Sequence, residues 1–245
     1  MESVIIGIDL GGTNLRIGAV TPDNRMLAPR VMKSSIVADA KNPIGKICEI
    51  ITGYIEQNQF ENVEAISIGV PSSVENDKET VICTTNIRNR AGEVVFSHTN
   101  MAKDVREHFQ IPVFINNDVN NIMLYDIAAN QLEEKKVVVG IYIGTGVGAS
   151  VVIDGKPLEG KNGAELDIGH MPYFQGEVEC SCGKRGAANA TLPAGDFRKS
   201  EKNITRIQTL KICLRGTRMN ARLRNSSRRA RIYTRSWLLY LIRIP

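Results

Sequence analysis

A chain of 245 residues, 42% of them hydrophobic, can bury one large core or two modest ones, so a soluble globular protein is expected. Met1-Glu2-Ser3 carries no basic cluster and the apolar run Val4 to Leu10 stops at Gly11-Gly12, too short for a signal peptide or a membrane span; the expected compartment is the cytoplasm, with no membrane partner. The net charge of +5 is uneven: residues 187–245 hold eleven Arg and three Lys against Asp196 and Glu201, so this tail carries +12 and the remainder −7, the pattern of a nucleic-acid-binding arm or of a stretch never selected as protein.

Val4-Ile5-Ile6-Gly7-Ile8 is a near-continuous apolar run, as expected for a strand covered on both faces. Leu15 to Val20 alternates, and Pro22-Asp23-Asn24 turns the chain toward a third strand near Arg25 to Lys33, so the chain opens with a meander. Asn42-Pro43 supplies an N-cap and a first-turn proline, and Ile44, Ile47, Ile51 and Ile55 share one face, which predicts a helix of about three turns. Ala65 to Val70 reads as a strand ended by Pro71, and Asn100 to Phe109 as a second helix. Pro112 to Ile115 is a short strand that delivers Asn116-Asn117-Asp118 to a helix running to about Leu132. This order is that of an α/β domain. Val137 to Ile143 then repeats the opening: an apolar strand, a turn at Gly144-Thr145-Gly146, and a return strand through Val151-Val152-Ile153. The repeat predicts two similar α/β halves facing each other across a cleft.

Glycines at a strand end let the backbone approach a phosphate closely and aim successive N–H groups at it, and Thr13 adds a hydroxyl donor. Asp9-Leu10-Gly11-Gly12-Thr13 is therefore a candidate phosphate loop, with Asp9 placed to hold a phosphate-bridging Mg²⁺; the same residues also make an ordinary capped glycine turn. Gly144-Thr145-Gly146-Val147-Gly148 has the same physical logic, and its recurrence at the equivalent place strengthens both. Asp118 can accept the proton of an attacking hydroxyl, the role a phosphotransferase needs from its base, or serve as a helix N-cap. His170, Cys180 and Cys182 offer three zinc ligands where a tetrahedral site wants four. Five scattered cysteines argue against a disulfide framework and leave Cys180-Ser181-Cys182 as the one close pair. His98 and His108, beside or within the second helix, read as surface residues.

In this order the motifs resemble the ROK family (repressors, open reading frames and sugar kinases) across residues 3 to 186. The resemblance implies a hexokinase/actin-like, ribonuclease H-like α/β fold of duplicated domains, here 1–117 and an incomplete second domain at 118–186. It implies ATP with Mg²⁺ at Asp9, Gly11, Gly12, Thr13, Gly144, Thr145 and Gly146, and a sugar-binding Asn117 beside a catalytic Asp118. Thr85-Asn86-Ile87 looks like the family's Pro-Asn-Leu segment, whose Asn contacts the sugar, and Asp167-Ile168-Gly169-His170 resembles its Glu-x-Gly-His signature, in which the acid holds sugar hydroxyls and the His links sugar to zinc site. Asp167 is one methylene shorter than the usual Glu, and Ser72 stands where the family places Gly; both bear on the choice among glucose, fructose and allose. A hexose substrate, a structural Zn²⁺ at His170, Cys180 and Cys182, and a homodimer follow from the resemblance, the last weakened for this chain by what comes next.

The family continues Cys-x-Cys-Gly-x-x-Gly-Cys-x-Glu, whereas Cys180-Ser181-Cys182-Gly183-Lys184-Arg185-Gly186 leads into Ala187-Ala188-Asn189 and none of the remaining motifs. Asn189 to Asp196 can be back-translated so that a one-base shift restores the Glu. The charge break and the loss of helical periodicity agree with a frameshift near Gly186, making 187–245 an out-of-frame, disordered tail and leaving the chain with little or no kinase activity. A sugar-responsive repressor is the alternative; it needs a DNA-binding helix-turn-helix before a first strand that here begins at Val4. The basic tail lacks a motif, an amphipathic period and a stacking platform, so no specific nucleic-acid partner is expected.

Overall fold

Strand β1 (Val4–Leu10) is covered on both faces in a computed structural model that describes residues 2–143, 146–160, 163, 166–172, 178–180 and 182–191. The described residues form two units, the first reaching Tyr125 and including Gly163, the second comprising the others from Asp126 onward.

In the first unit β1 pairs antiparallel with β2 (Asn14–Val20), which pairs with β3 (Met26–Lys33), so the meander is present. After a single helical turn, α1 (Ser35–Ala38), comes α2 (Pro43–Asn58). The Asn42 side chain caps α2 by accepting the Gly45 N–H at 3.0 Å, and Pro43 opens it, as the sequence predicts. Strand β4 (Val63–Val70) adds to β1 in parallel. An excursion follows, the small hairpin β5 (Val81–Cys83) and β6 (Ser97–Thr99), and then α3 (Met101–Phe109). Strand β7 (Val113–Asn117) completes a five-stranded sheet of order β3-β2-β1-β4-β7 and runs directly into α4 (Asp118–Ala129).

Side-chain alternation gives this sheet two different faces. Ile6, Ile8, Ile66, Ile68, Val113 and Ile115 join the apolar faces of α2 and α3, through Ile47, Ile51, Met101 and Val105, in one buried core. The opposite parity carries Asp9, Ser67, Gly69 and Asn116, and there α4 begins: a Cβ on Gly69 would stand 3.0 Å from Asn121 Nδ2 and 3.9 Å from Asp118 Cα. The apolar face holds the fold together; the small and polar face makes room for chemistry.

The second unit is built on β8 (Val137–Ile143) and β9 (Val147–Ile153), an antiparallel hairpin extended by the two-residue β10 (Lys156–Pro157). Both halves of the chain thus open with an apolar strand paired to an antiparallel return strand. Among the described residues this unit also holds a 3₁₀ turn (Ile168–His170) and a short helix, α5 (Ala188–Thr191). The expected disordered tail begins at residue 187, yet Ala187 and Ala188 are buried and Ala187 bridges Pro172, because small side chains there permit close packing against the 3₁₀ turn. Residues 192–245 lie outside the described residues. Among the described residues, no helix is long and apolar enough to cross a membrane.

Candidate active site

At the end of β1, strand register sets Asp9 opposite Arg16, whose guanidinium donates to Asp9 Oδ2 at 2.6 Å. Asp9 is 7% exposed, and burial pushes its carboxyl up from its ordinary value against the opposing pull of Arg16. The Gly11-Gly12-Thr13 turn is braced from behind: Gly11 N–H donates to Asn14 O, the Ser34 hydroxyl donates to Gly11 O at 2.5 Å, and Ser34 N–H donates to Thr13 O. Gly12 and Thr13 are exposed. A Cβ on Gly12 would lie 2.6 Å from the carbonyl oxygen of Asn86, so only glycine lets these two segments meet. Two motifs more than seventy residues apart, the candidate phosphate loop and the Thr85-Asn86-Ile87 segment, are in this way brought together, with the Asn86 side chain exposed beside them.

The turn from β7 into α4 assigns separate tasks to adjacent residues. Asn117 Oδ1 accepts the N–H groups of Val119 and Asn120 at 2.7 and 3.1 Å, and its Nδ2 donates to Ser72 O at 3.3 Å. Asn117 therefore performs the capping that the sequence offers to Asp118. Asn116 Nδ2 donates to Asn121 Oδ1 at 2.9 Å, tying strand to helix across the turn, with Asn121 buried. The Asp118 carboxyl is pushed up to about 7, chiefly by burial and then by the negative charge of Asp9, with the Val119 N–H opposing. Ser72, read from sequence as bearing on sugar choice, uses its hydroxyl internally: it accepts the Cys83 N–H at 3.0 Å and donates to Ser73 O.

In the second unit, Gly144 and Thr145 of the second glycine loop lie outside the described residues. Gly146 is described, and a Cβ there would meet Asn189 Oδ1 at 2.9 Å. That same oxygen accepts the Val147 N–H at 2.6 Å, while Asn189 Nδ2 lies 3.4 Å from His170 Nε2. Asp167 is exposed, its Oδ1 3.8 Å from His170 Nε2. His170 Nδ1 lies 3.3 Å from Cys180 Sγ, and the ligand atoms of His170, Cys180 and Cys182 all fall within 4.8 Å of one another. The donor set, one imidazole and two thiols, is chemically suited to zinc.

Sequence reasoning missed Arg16, Asn116, Asn121 and Asn189. Strand register could have found Arg16, since a tight turn after Leu10 leaves few residues to face Asp9. The others depend on side-chain placement that no periodicity reports.

Comparison with known proteins shows the family and the fold. The family model "ROK family" matches residues 5–227, a span that runs past Gly186. The chain is 27% identical over 196 residues to a glucokinase of Thermotoga maritima, covering 80% of this chain and 59% of that protein. It is 27% identical over 203 residues to an N-acetyl-D-glucosamine kinase of Vibrio cholerae, covering 78% and 63%. It thus spans less than two thirds of the length of either relative. Among solved structures, a ROK family glucokinase from Streptomyces griseus in complex with glucose and AMPPNP superposes with a TM-score of 0.62 at 26% identity, over 75% of this chain and 55% of that one. A ROK family transcriptional regulator, a homolog of the E. coli MLC protein, shares the fold with a TM-score of 0.68 at 20% identity, over 82% and 49%.

Proposed function

The chain belongs to the ROK family, and from that premise we propose that it is built to transfer the γ-phosphoryl group of ATP to a sugar hydroxyl in the cytoplasm, with Asp118 as the general base. The observation that carries this reading is the setting of Asp118: Asn117 accepts the helix-capping N–H groups, and the Asp118 carboxyl, buried near Asp9, is pushed up to about 7. A base of that pKa is half ionised at neutral pH, where general-base catalysis is most effective.

In the proposed reaction the sugar O–H gives its proton to Asp118, the sugar oxygen bonds to the γ-phosphorus, and the bond to the β–γ bridging oxygen breaks to release ADP. Catalysis of this kind rests on positioning and charge neutralisation. Gly11, Gly12 and Thr13 would present N–H and hydroxyl donors to phosphate oxygens, with Gly144, Thr145 and Gly146 as the second such loop. Mg²⁺ is held in such sites by one or two carboxylates and the substrate phosphates, and supplies charge neutralisation when bound. Asp9, a buried carboxylate whose Oδ2 is engaged by Arg16, is the donor this chain offers it. Asn86, Asn117, Asp167 and His170 would orient the sugar. The substrate class is a hexose or N-acetylhexosamine, in keeping with the glucokinase and N-acetyl-D-glucosamine kinase relatives.

Turnover by the chain as written would be low, because Ala187 and Asn189 stand where the family pattern places Cys and Glu. ADP release over glucose, N-acetylglucosamine, fructose and allose, measured on this chain and on the product of a frame-corrected gene, tests the proposal. Sugar-dependent release by the corrected product, abolished by Asp118→Asn, is expected. Absence of sugar-dependent release from both proteins overturns it.

A further inference from the structure

Cys180 and Cys182 are held by a tight hairpin. Glu179 bridges Arg185, the Cys180 N–H donates to Lys184 O at 2.9 Å, and the Gly183 N–H donates to Cys180 O at 2.8 Å. Gly183 adopts φ +82°, the left-handed conformation that turns the chain straight after Cys182. His170 arrives from the end of the 3₁₀ turn. Zinc bonds of about 2.3 Å to sulfur and about 2.0 Å to nitrogen imply ligand-to-ligand edges of about 3.6 Å in a tetrahedron. The 3.3 Å from His170 Nδ1 to Cys180 Sγ is already of that size, and the remaining separations, within 4.8 Å, need only small closure. The outer ring nitrogen of His170 lies 3.8 Å from Asp167 Oδ1; a proton on Nε2, turned toward that carboxylate, leaves the Nδ1 lone pair for a metal.

The fourth corner differs. Among the described residues, no further His, Cys, Asp or Glu joins the three. The chain leaves the hairpin through Ala187, fully buried against Pro172 with only a methyl group to offer. Cys180 is buried but Cys182 is exposed, so one side of the triad faces water. Three protein ligands with a solvent-facing fourth position are the arrangement of an open zinc site rather than a closed structural one.

We infer that this chain binds Zn²⁺ through His170 Nδ1, Cys180 Sγ and Cys182 Sγ with the fourth position open, holding a water that exchanges for a small exogenous donor such as a thiol or an imidazole. The inference is independent of sugar phosphorylation, and its test involves no turnover. The full chain, kept reduced with a phosphine, is loaded with one equivalent of Co²⁺, whose visible d–d and thiolate charge-transfer bands report coordination. Titration with 2-mercaptoethanol or imidazole is expected to shift these bands saturably, and Ala187→Cys, by closing the site, to remove the response. Bands indifferent to the added donors in the unaltered chain would overturn the inference, since a protein group then fills the fourth position; so would failure to retain one equivalent of Co²⁺ or Zn²⁺ after desalting.

Discussion

Gly12 and Asn86 touch backbone to backbone: a Cβ on Gly12 would stand 2.6 Å from the Asn86 carbonyl oxygen. Gly12→Ala must therefore push the Gly11-Gly12-Thr13 turn and the Thr85-Asn86-Ile87 segment apart. A loss of about 1–3 kcal/mol is expected from such overpacking, together with weakened nucleotide binding, read by thermal unfolding and by calorimetry with a non-hydrolysable ATP analogue. Gly53 provides the contrast. It lies within α2 with nothing near its missing Cβ, so Gly53→Ala should stabilise by up to about 1 kcal/mol through helix propensity and leave nucleotide binding unchanged.

On the role proposed for Asp118, function and stability pull in opposite directions. Unfolded, its carboxyl loses its proton near the ordinary 3.8; folded, it keeps the proton to about 7. Between those values unfolding releases a proton, so this group's contribution to stability falls as pH rises from about 4 to about 7 and remains unfavourable above. Asp118→Asn cannot ionise and escapes the penalty, which is on the order of a few kcal/mol for a shift of this size. The variant should melt above the parent at pH 8 with a much smaller gap at pH 4, while losing phosphoryl transfer at every pH. An equal melting difference at both pH values would contradict the assignment. For the active parent protein, kcat/KM should rise along a one-proton limb to a plateau above about pH 7.

Asn117 has a capping task on its oxygen and a tether on its nitrogen, and these can be separated. Asn117→Ala loses the acceptor for the Val119 and Asn120 N–H groups and should cost about 1 kcal/mol. Asn117→Ser keeps a good cap and loses the amide nitrogen that reaches Ser72 O. If that nitrogen also grips the sugar, the Ser variant will hold its melting temperature and show a raised sugar KM; an unchanged KM would assign Asn117 to capping alone.

Local pattern carried much of this architecture. Asn42-Pro43 and the isoleucines behind it announce α2 because capping and amphipathic spacing are properties of adjacent residues. The β5–β6 hairpin was illegible: its strands are three residues long, and Ser97-His98-Thr99 has no apolar face to betray it. Asp9 and Asp118 were legible as candidates. What distinguishes Asp118 from a plain helix cap is the hydrogen bonding of Asn117, which depends on where β7 stops, and the charge of Asp9, which arrives through the β1–β4–β7 register.

Ser67 tests the polar face of the sheet. Its hydroxyl is buried beneath the α4 side of β4 and, among the described residues, has no hydrogen-bond partner. An unpaired buried hydroxyl opposes folding, so Ser67→Ala should be neutral or should stabilise by about 1 kcal/mol in denaturant unfolding. Destabilisation of that size instead would reveal a bound water completing the hydroxyl's bonding.

Asn189 decides whether the segment after Gly186 belongs to the fold. Its Oδ1 accepts the Val147 N–H at 2.6 Å, and the missing side chains of Gly146 and Gly169 leave room for it: a Cβ on either would come within 2.9 Å of the Asn189 amide. Asn189→Ala leaves the Val147 N–H without this acceptor, a loss of about 1–3 kcal/mol, whereas Asn189→Asp retains an acceptor for it. If both variants melt as the parent does, residues 187–191 are a passenger and the out-of-frame reading gains weight. If Ala destabilises and Asp recovers most of the loss, the segment has been recruited into the second unit whatever its origin. The 2.6 Å bond and the burial of Ala187 and Ala188 favour that second outcome, because a foreign stretch would satisfy a loop amide and fill a small-residue seam together only by coincidence.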